Sequence, residues 1–484
     1  MIGIGAIRYS RLMPLRPVLA FALLGSMPLA AAPTKEAVID AMKRASDAFV
    51  EKAAVEGGFV YYVTLEGRRL GEGEATATEI WVQPPGTPAV GEAFLDAHEA
   101  TGDAFFLAAA QRAGRALAYG QLESGGWRNS IDFDPAGPRI DQYRNGKGKG
   151  KNFSTLDDDI TQSTLGFLFR LEAAAPGKEP AIRDAIDYAW PRLLAAQFAN
   201  GGFPQGWTGP VPDRATVKAS FPTYDWRTEG RIKEYWNEYT LNDGMALTMT
   251  ETLLRAHRFG QKNEALESLK RFGEFLLLAQ LPDPQPAWAQ QYGPDMHPIW
   301  ARAFEPPAVS GRESEDAMLA LLRIAEVTGD EKFLAPIVPA VKYLESSLLP
   351  DGQLARYYEI GTNKPLYMQR NGKAYELTND DANLPDHYGW KNPSRLDLIK
   401  QAYRARLAGR SVDELLAPAP VEATAVEEVI GGMDPDGLWI TTHGTSEERL
   451  VGQPKFAVGE TYLSSERFAE NLRLLSGYVK GLSR

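Results

Sequence analysis

The sequence contains no cysteine. That excludes disulfides, thiolate-held metals and cysteine nucleophiles. An uncrosslinked domain must rest on its core, and 484 residues at 44% hydrophobic content suffice to bury one. Histidine is scarce: His98, His257, His297, His387 and His443 are scattered. They form no HExxH spacing and join no nucleophile elbow, which argues against a transition-metal site and a Ser–His–Asp triad. All five read as structural or surface residues. Positive charge is in deficit, with a net charge of −11, so a general nucleic-acid or anionic-membrane binder is excluded. Strand signals are few and short, Phe59 to Thr64 and Glu79 to Val82. No apolar run is long enough to span a bilayer.

The one short apolar run near the start, Val18 to Leu24, follows Arg8, Arg11 and Arg16 and precedes Leu29-Ala-Ala-Ala32 and Pro33. Residues 1–32 therefore read as a signal peptide. The mature chain is expected to be secreted or periplasmic, free of membranes and monomeric.

What the chain does have is a repeat. Gln121-Leu-Glu-Ser-Gly-Gly-Trp127 matches Gln197-Phe-Ala-Asn-Gly-Gly-Phe203, with weaker echoes at Gln280 to Trp288 and Leu349 to Gln353. Thr101-Gly-Asp103 is echoed by Thr328-Gly-Asp330. Each unit reads as helix, short turn, helix, Gly-rich turn and long loop. Apolar periodicity predicts first helices at Thr161–Ala173, Thr248–Ala256 and Ala317–Ile324, and second helices at Ala181–Gln197 and Ala265–Gln280. Repeated helical pairs stack as a solenoid or close into a ring. The expected fold is all-α: a partial (α/α) toroid of helical hairpins with long loops and a few short strands. It would cover residues 33–410, with the loops gathered at one end. Residues 411–484, opening on Ala417-Pro-Ala-Pro420, read as a linker and a C-terminal appendage packed on the toroid.

Polar residues collect at the starts of the first helices: Thr155-Leu-Asp-Asp-Asp159, Thr240-Leu-Asn-Asp-Gly244 and Ser310-Gly-Arg-Glu-Ser-Glu315. Helix capping accounts for such residues singly. Three successive aspartates exceed what a cap needs. On a closed ring they would converge and could hold a hard cation such as Ca²⁺. The aromatic Gly turns, Gly125-Gly-Trp-Arg-Asn129 and Gly201-Gly-Phe-Pro-Gln205, fit either sugar stacking or a core aromatic after a C-cap. Arg128, Arg139, Arg144, Lys147, Lys149 and Lys151 share one loop; Arg302, Arg356, Lys364, Arg370 and Lys373 lie in later ones. Arginine forks bind carboxylates, so these loops suggest a basic funnel for an anionic polymer.

These motifs resemble the pectate lyases of polysaccharide lyase family 10. The matching stretches are Gly125-Gly-Trp-Arg-Asn129, Thr155 to Thr161, Gly201 to Gln205, Leu241-Asn-Asp-Gly244, Trp288 to Tyr292, Arg302-Ala-Phe-Glu305 with Ser310 to Ser314, and Arg356 to Pro365. The resemblance implies a partial (α/α) toroid and Ca²⁺-assisted β-elimination on polygalacturonate. It implies Asp157 or Asp159, with Asp243, as cation ligands and Arg302 as the base. Trp127, Arg128, Asn129, Gln205, Arg356, Lys364 and Arg370 would bind substrate. Three departures stand out: Phe203 replaces a usual Trp, Pro210 to Tyr235 looks inserted, and the segment after Pro420 lies outside the minimal module. The alternative is an inverting glycoside hydrolase on a similar toroid, with Asp159 and Asp243 as its carboxylate pair.

Overall fold

A computed structural model describes residues 32–372, 374–445 and 449–483. The leader, apart from its last residue, lies outside these, as does Lys373. Helices dominate, in hairpins. In chain order they are α1 (Lys35–Ala53), α2 (Thr87–Thr101), α3 (Ala104–Tyr119), α4 (Ile160–Ala174), α5 (Pro180–Ala195), α6 (Met245–Arg258) and α7 (Glu264–Ala279). There follow α8 (Gly311–Thr328), α9 (Ile337–Ser346), α10 (Leu396–Leu407), α11 (Val412–Leu416), α12 (Ala423–Gly431) and α13 (Ser465–Leu482). The predicted helices all form, each longer than or within two residues of its expected span.

The repeat seen in sequence is a repeat of turn chemistry. After α2 and α8 the chain stops at Gly102 and Gly329, whose φ values of 72° and 68° suit glycine. Asp103 and Asp330 then cap the next helical turn, accepting from the backbone N–H of Phe105 (2.9 Å) and Lys332 (3.1 Å). The glutamine opening each Gly turn is a clamp. Gln121 Nε2 donates across its own turn to the Gly125 carbonyl and outward to that of Ala185 on α5, at 3.0 and 2.8 Å. Gln197 does the same with Gly201 and Ser268 on α7, and Gln280 with Pro286 and Pro336 before α9. Each clamp ties one hairpin to the next.

α2, α4, α6, α8 and α10 pack side by side as the inner series, and α3, α5, α7 and α9 lie outside them. The inner helices run parallel. Beyond their first turns they are joined by ion pairs. Arg170 of α4 meets Glu92, Asp96 and Glu99 of α2; Arg255 of α6 meets Glu92; and Arg323 of α8 meets Glu251 of α6 and Asp413 of α11. Their N-termini gather at the opposite mouth, where the helix dipoles place partial positive charge. The fold is thus an (α/α) toroid, mostly helical with short strands.

The segment after residue 410 is woven into this ring. Strand Thr461–Ser464 pairs antiparallel with Tyr62–Thr64, and α13 packs against the inner helix α2 and against α1. α13 thereby continues the inner series, so this segment closes the ring's first hairpin from the chain's far end.

Candidate functional site

Two tiers of polar residues line the mouth, and backbone hydrogen bonds set them in register. The turn before each inner helix donates a backbone N–H to the loop of the following unit. Val82 donates to Asn129, Leu156 to Gln205, Leu241 to Gln290 and Gly311 to Arg356, at 2.8, 2.8, 2.8 and 3.0 Å. The residues next along each turn are therefore equivalent: Gln83, Asp157, Asn242 and Arg312. The acceptor residues Asn129, Gln205, Gln290 and Arg356 form the second tier.

The turns before α4 and α6 share one geometry. Thr155 and Thr240 accept through their hydroxyls from the backbone N–H of Asp157 and Asn242, at 3.0 and 3.1 Å. The next residues, Asp158 and Asp243, take left-handed φ values of 47° and 51°. This presses the two turns together and brings carboxylate oxygens of Asp157, Asp158 and Asp243 within 4.8 Å of one another. Asp159 falls outside that group; it caps α4, and its carbonyl accepts from Ser163 Oγ. Asp158, the middle of the three successive aspartates, stands in the group where Asp159 was expected.

The electrostatics of the three differ. Asp157 has its pKa pushed well above the carboxylate range by burial and by the charges of Asp243 and Asp158. Burial also opposes charge on Asp243, yet Arg302, Arg356 and Arg312 outweigh it and hold its pKa at about 2. Asp157 Oδ1 is buried without a hydrogen-bond partner. An all-oxygen donor set with an orphaned carboxylate oxygen, short of positive charge, fits a hard divalent cation.

Beside the acids stand two arginines. Arg302 Nη2 lies 2.6 Å from Glu305 and 3.5 Å from Asp243, and its side chain is 32% exposed. Arg356 is 2% exposed and gives one nitrogen to Glu313 at 2.8 Å and to Asn242 at 3.1 Å, with Asp243 3.5 Å away. Although burial favours their neutral forms, the acids keep both protonated and raise their pKa further. Tyr388 lies between them. Its ring centre is 5.9 Å from the Arg302 guanidinium and 4.7 Å from that of Arg356, and its hydroxyl donates to Glu305 at 3.0 Å. Glu305, Glu313 and Gln290 lie in stretches the sequence singles out but were given no part, and Tyr388 lies outside those stretches. Gln290 was recoverable from its register with Gln205.

The remaining expected residues divide. Trp127 is fully buried, its indole N–H donating to the Leu117 carbonyl at 2.8 Å, so it is a core aromatic and offers no face to a sugar. Trp288 makes the equivalent bond to Leu276. Gln205 is 5% exposed and acts through its backbone; Arg356, likewise buried, offers no surface to a polymer. Asn129 is half-buried and 3.5 Å from Glu72. Arg128 is 3.6 Å from Asp141. Lys364 is exposed beside Glu359, apart from the acid cluster. Arg370 is exposed in the hairpin over which His387 folds, and its charge helps depress the His387 pKa after burial. His387 itself packs edge-on to Phe304 at 4.9 Å, at the rim of the site. The basic funnel is thinner than expected, since Arg139 and Arg144 turn to Glu79 and Asp184. The inserted stretch delivers Tyr235, near enough to feel the charges of Arg302, Glu305 and Asp157.

Residues 121–353 match the family model of the pectic acid lyases. No curated protein matches the chain at a significant level. Among solved structures, a variant of a family 10 polysaccharide lyase from Cellvibrio cellulosa, in complex with trigalacturonic acid, is 17% identical. That likeness covers 66% of this chain and 98% of that one, with a TM-score of 0.46. An α-mannanase from Bacteroides thetaiotaomicron is 9% identical over 92% of this chain and 96% of its own, with a TM-score of 0.44. A cellobiose 2-epimerase from Bacillus thermoamylovorans is 12% identical over 92% and 100%, with a TM-score of 0.45. On its family-model match and the motifs that line this mouth, the chain is a polysaccharide lyase that resembles the pectate lyases of polysaccharide lyase family 10.

Proposed function

We propose that this lyase cleaves α-1,4-linked polygalacturonate by calcium-assisted β-elimination and releases 4,5-unsaturated oligogalacturonates. The reading is carried by one juxtaposition: three carboxylates fit for a hard cation stand beside a partly exposed arginine at the mouth where the helix N-termini meet. Elimination must remove the proton at C5, next to a uronate carboxylate. Calcium held by Asp157, Asp158 and Asp243 supplies the positive charge that neutralises that carboxylate and makes the proton more acidic.

Arg302 is the group on this chain that reaches the C5 proton from the mouth. Its own proton is held by Glu305 and Asp243. To take the C5 proton Arg302 must first release one of its own to solvent water, and commitment of Asp243 to a cation removes one of the two anchors that oppose this release. As the C5–H pair moves into the C4–C5 bond, the C4–O bond breaks and water protonates the leaving oxygen. Arg356 keeps Asp243 and Asn242 in place from behind. Asn129 and Arg370, on the rim, are suited to the substrate's hydroxyls and flanking carboxylates. We further infer that the chain acts after export, as its N-terminal pattern suggests. Among the described residues no helix is long and apolar enough to cross a membrane.

The test is incubation with polygalacturonate, with and without a chelator, following ultraviolet absorbance of the unsaturated product. A chelator-sensitive rise is expected. Reducing ends released without absorbance would mean hydrolysis and overturn the reading.

A further inference from the structure

The carboxylate group is built from the turns before α4 and α6, but a third turn reaches it. Gln83 precedes α2 and occupies the register position of Asp157 and Asn242. It lies outside the segment that matches the pectic acid lyase family. Its side chain is buried at 4% exposure. The amide nitrogen donates to Asp158 Oδ2 at 3.0 Å and to Glu72 Oε1 at 3.1 Å. An amide nitrogen has two N–H groups, so both are committed to carboxylates. The backbone of the same turn is fixed as well. Val82 donates to the Asn129 carbonyl at 2.8 Å, and the Gln83 carbonyl accepts from Gly86 at 2.9 Å.

We propose that Gln83 is a positioning residue for the cation site: its amide holds the Asp158 carboxylate in place beside those of Asp157 and Asp243. The site is then assembled by three consecutive units of the ring, two giving carboxylates and the first giving a neutral donor. The neutral group is the physically required choice at that position. A fourth acid there would add like charge to three carboxylates already gathered within 4.8 Å of one another. A donor instead fixes one oxygen without drawing charge from the ligand set. Partners that orient a metal-ligating group contribute substantially, and their loss typically costs about 10- to 100-fold in metal affinity.

The inference rests on the calcium reading above, and one experiment separates the two. Calcium binding is measured by isothermal titration calorimetry on the mature chain and on Gln83→Met, which keeps the volume and removes both donors. The expected result is a dissociation constant raised by ~10-fold. The calcium concentration for half-maximal turnover of polygalacturonate rises by the same factor. A residue that merely supported the fold would lower turnover at every calcium concentration alike. If the parent chain binds no calcium, the cation reading itself fails. If the parent binds and Gln83→Met binds equally well, the role of Gln83 is overturned. Should Gln83→Met not fold, Gln83→Asn keeps an amide one methylene short of its two partners. It is expected to weaken binding in the same direction, and parent affinity there would also overturn the inference.

Discussion

At the scale of single residues, the site sets neighbouring acids apart by their surroundings. Asp243 is held ionised by three arginines, whereas Asp157, buried against two other acids, retains a proton. The folded state thus binds a proton on Asp157 that the unfolded chain has released once pH exceeds the ordinary carboxylate pKa. Between that value and the raised folded one, stability falls as pH rises. Asp243 acts oppositely: its contribution is present above the unfolded value and is lost as pH falls toward about 2. Asp157→Asn is therefore expected to melt at a higher temperature than the parent at neutral pH in chelator, and to gain nothing when calcium is added. Thermal melts in both conditions check this; a calcium-induced rise equal to the parent's would count against Asp157 as a ligand. Arg302→Ala is expected to lower turnover at least ~100-fold, the loss of a general base being worth roughly 10² to 10⁴, with an unchanged circular dichroism spectrum. Near-normal rates would remove Arg302 from the reaction.

At the scale of elements, the repeated turn is what the sequence disclosed best and misled most. Thr-Gly-Asp and the Gln of each Gly turn were visible because short-range backbone chemistry demands those residues, and both recur with the same bonds. Trp127 was open to two readings because a ring after Gly-Gly looks the same whether it faces sugar or core. Only the packing of α3 beneath it decides, through the bond to Leu117. Phe203 in the equivalent place shows that the position accepts phenylalanine. Trp127→Phe should then leave KM for polygalacturonate unchanged. It should cost about 0.5–1.5 kcal/mol in denaturant unfolding, because the Leu117 carbonyl loses the indole donor and keeps that of Gly120. A raised KM with unaltered stability would restore the sugar-stacking role. The choice among Asp157, Asp158 and Asp159 stayed open for a related reason. Which of three successive aspartates points inward depends on left-handed dihedrals that composition does not reveal.

At the scale of the whole molecule, the ring and its mouth were legible, but not what completes them. Helical periodicity and the repeat disclosed the toroid. Glu305 and Glu313 stood in stretches already singled out, without a part assigned to them. Tyr388 and Gln83 were not legible, because each acquires its part only from a chain segment distant in sequence. The same holds for α13, which a short amphipathic stretch beyond a proline-rich linker does not distinguish from an appendage. Since α13 packs on α2 and strand Thr461–Ser464 covers Tyr62–Thr64, a chain ending at residue 410 would expose both. Such a truncation, though it retains the whole segment that matches the lyase family, is expected to be insoluble or to lack the helical spectrum. A soluble, active fragment would show instead that the ring closes without its C-terminal helix.

The left-handed turns before α4 and α6 have a consequence for anyone who would improve this protein. Asp158, Asp159 and Asp243 hold a backbone shape that glycine adopts freely and that costs other residues roughly 1 kcal/mol or more each. The corresponding place beside Asp243 is already glycine, at Gly244. Replacing Asp158 by glycine would relieve both strain and crowded charge. Selection for heat tolerance alone would favour such a replacement and converge on a sturdier protein that no longer cuts anything.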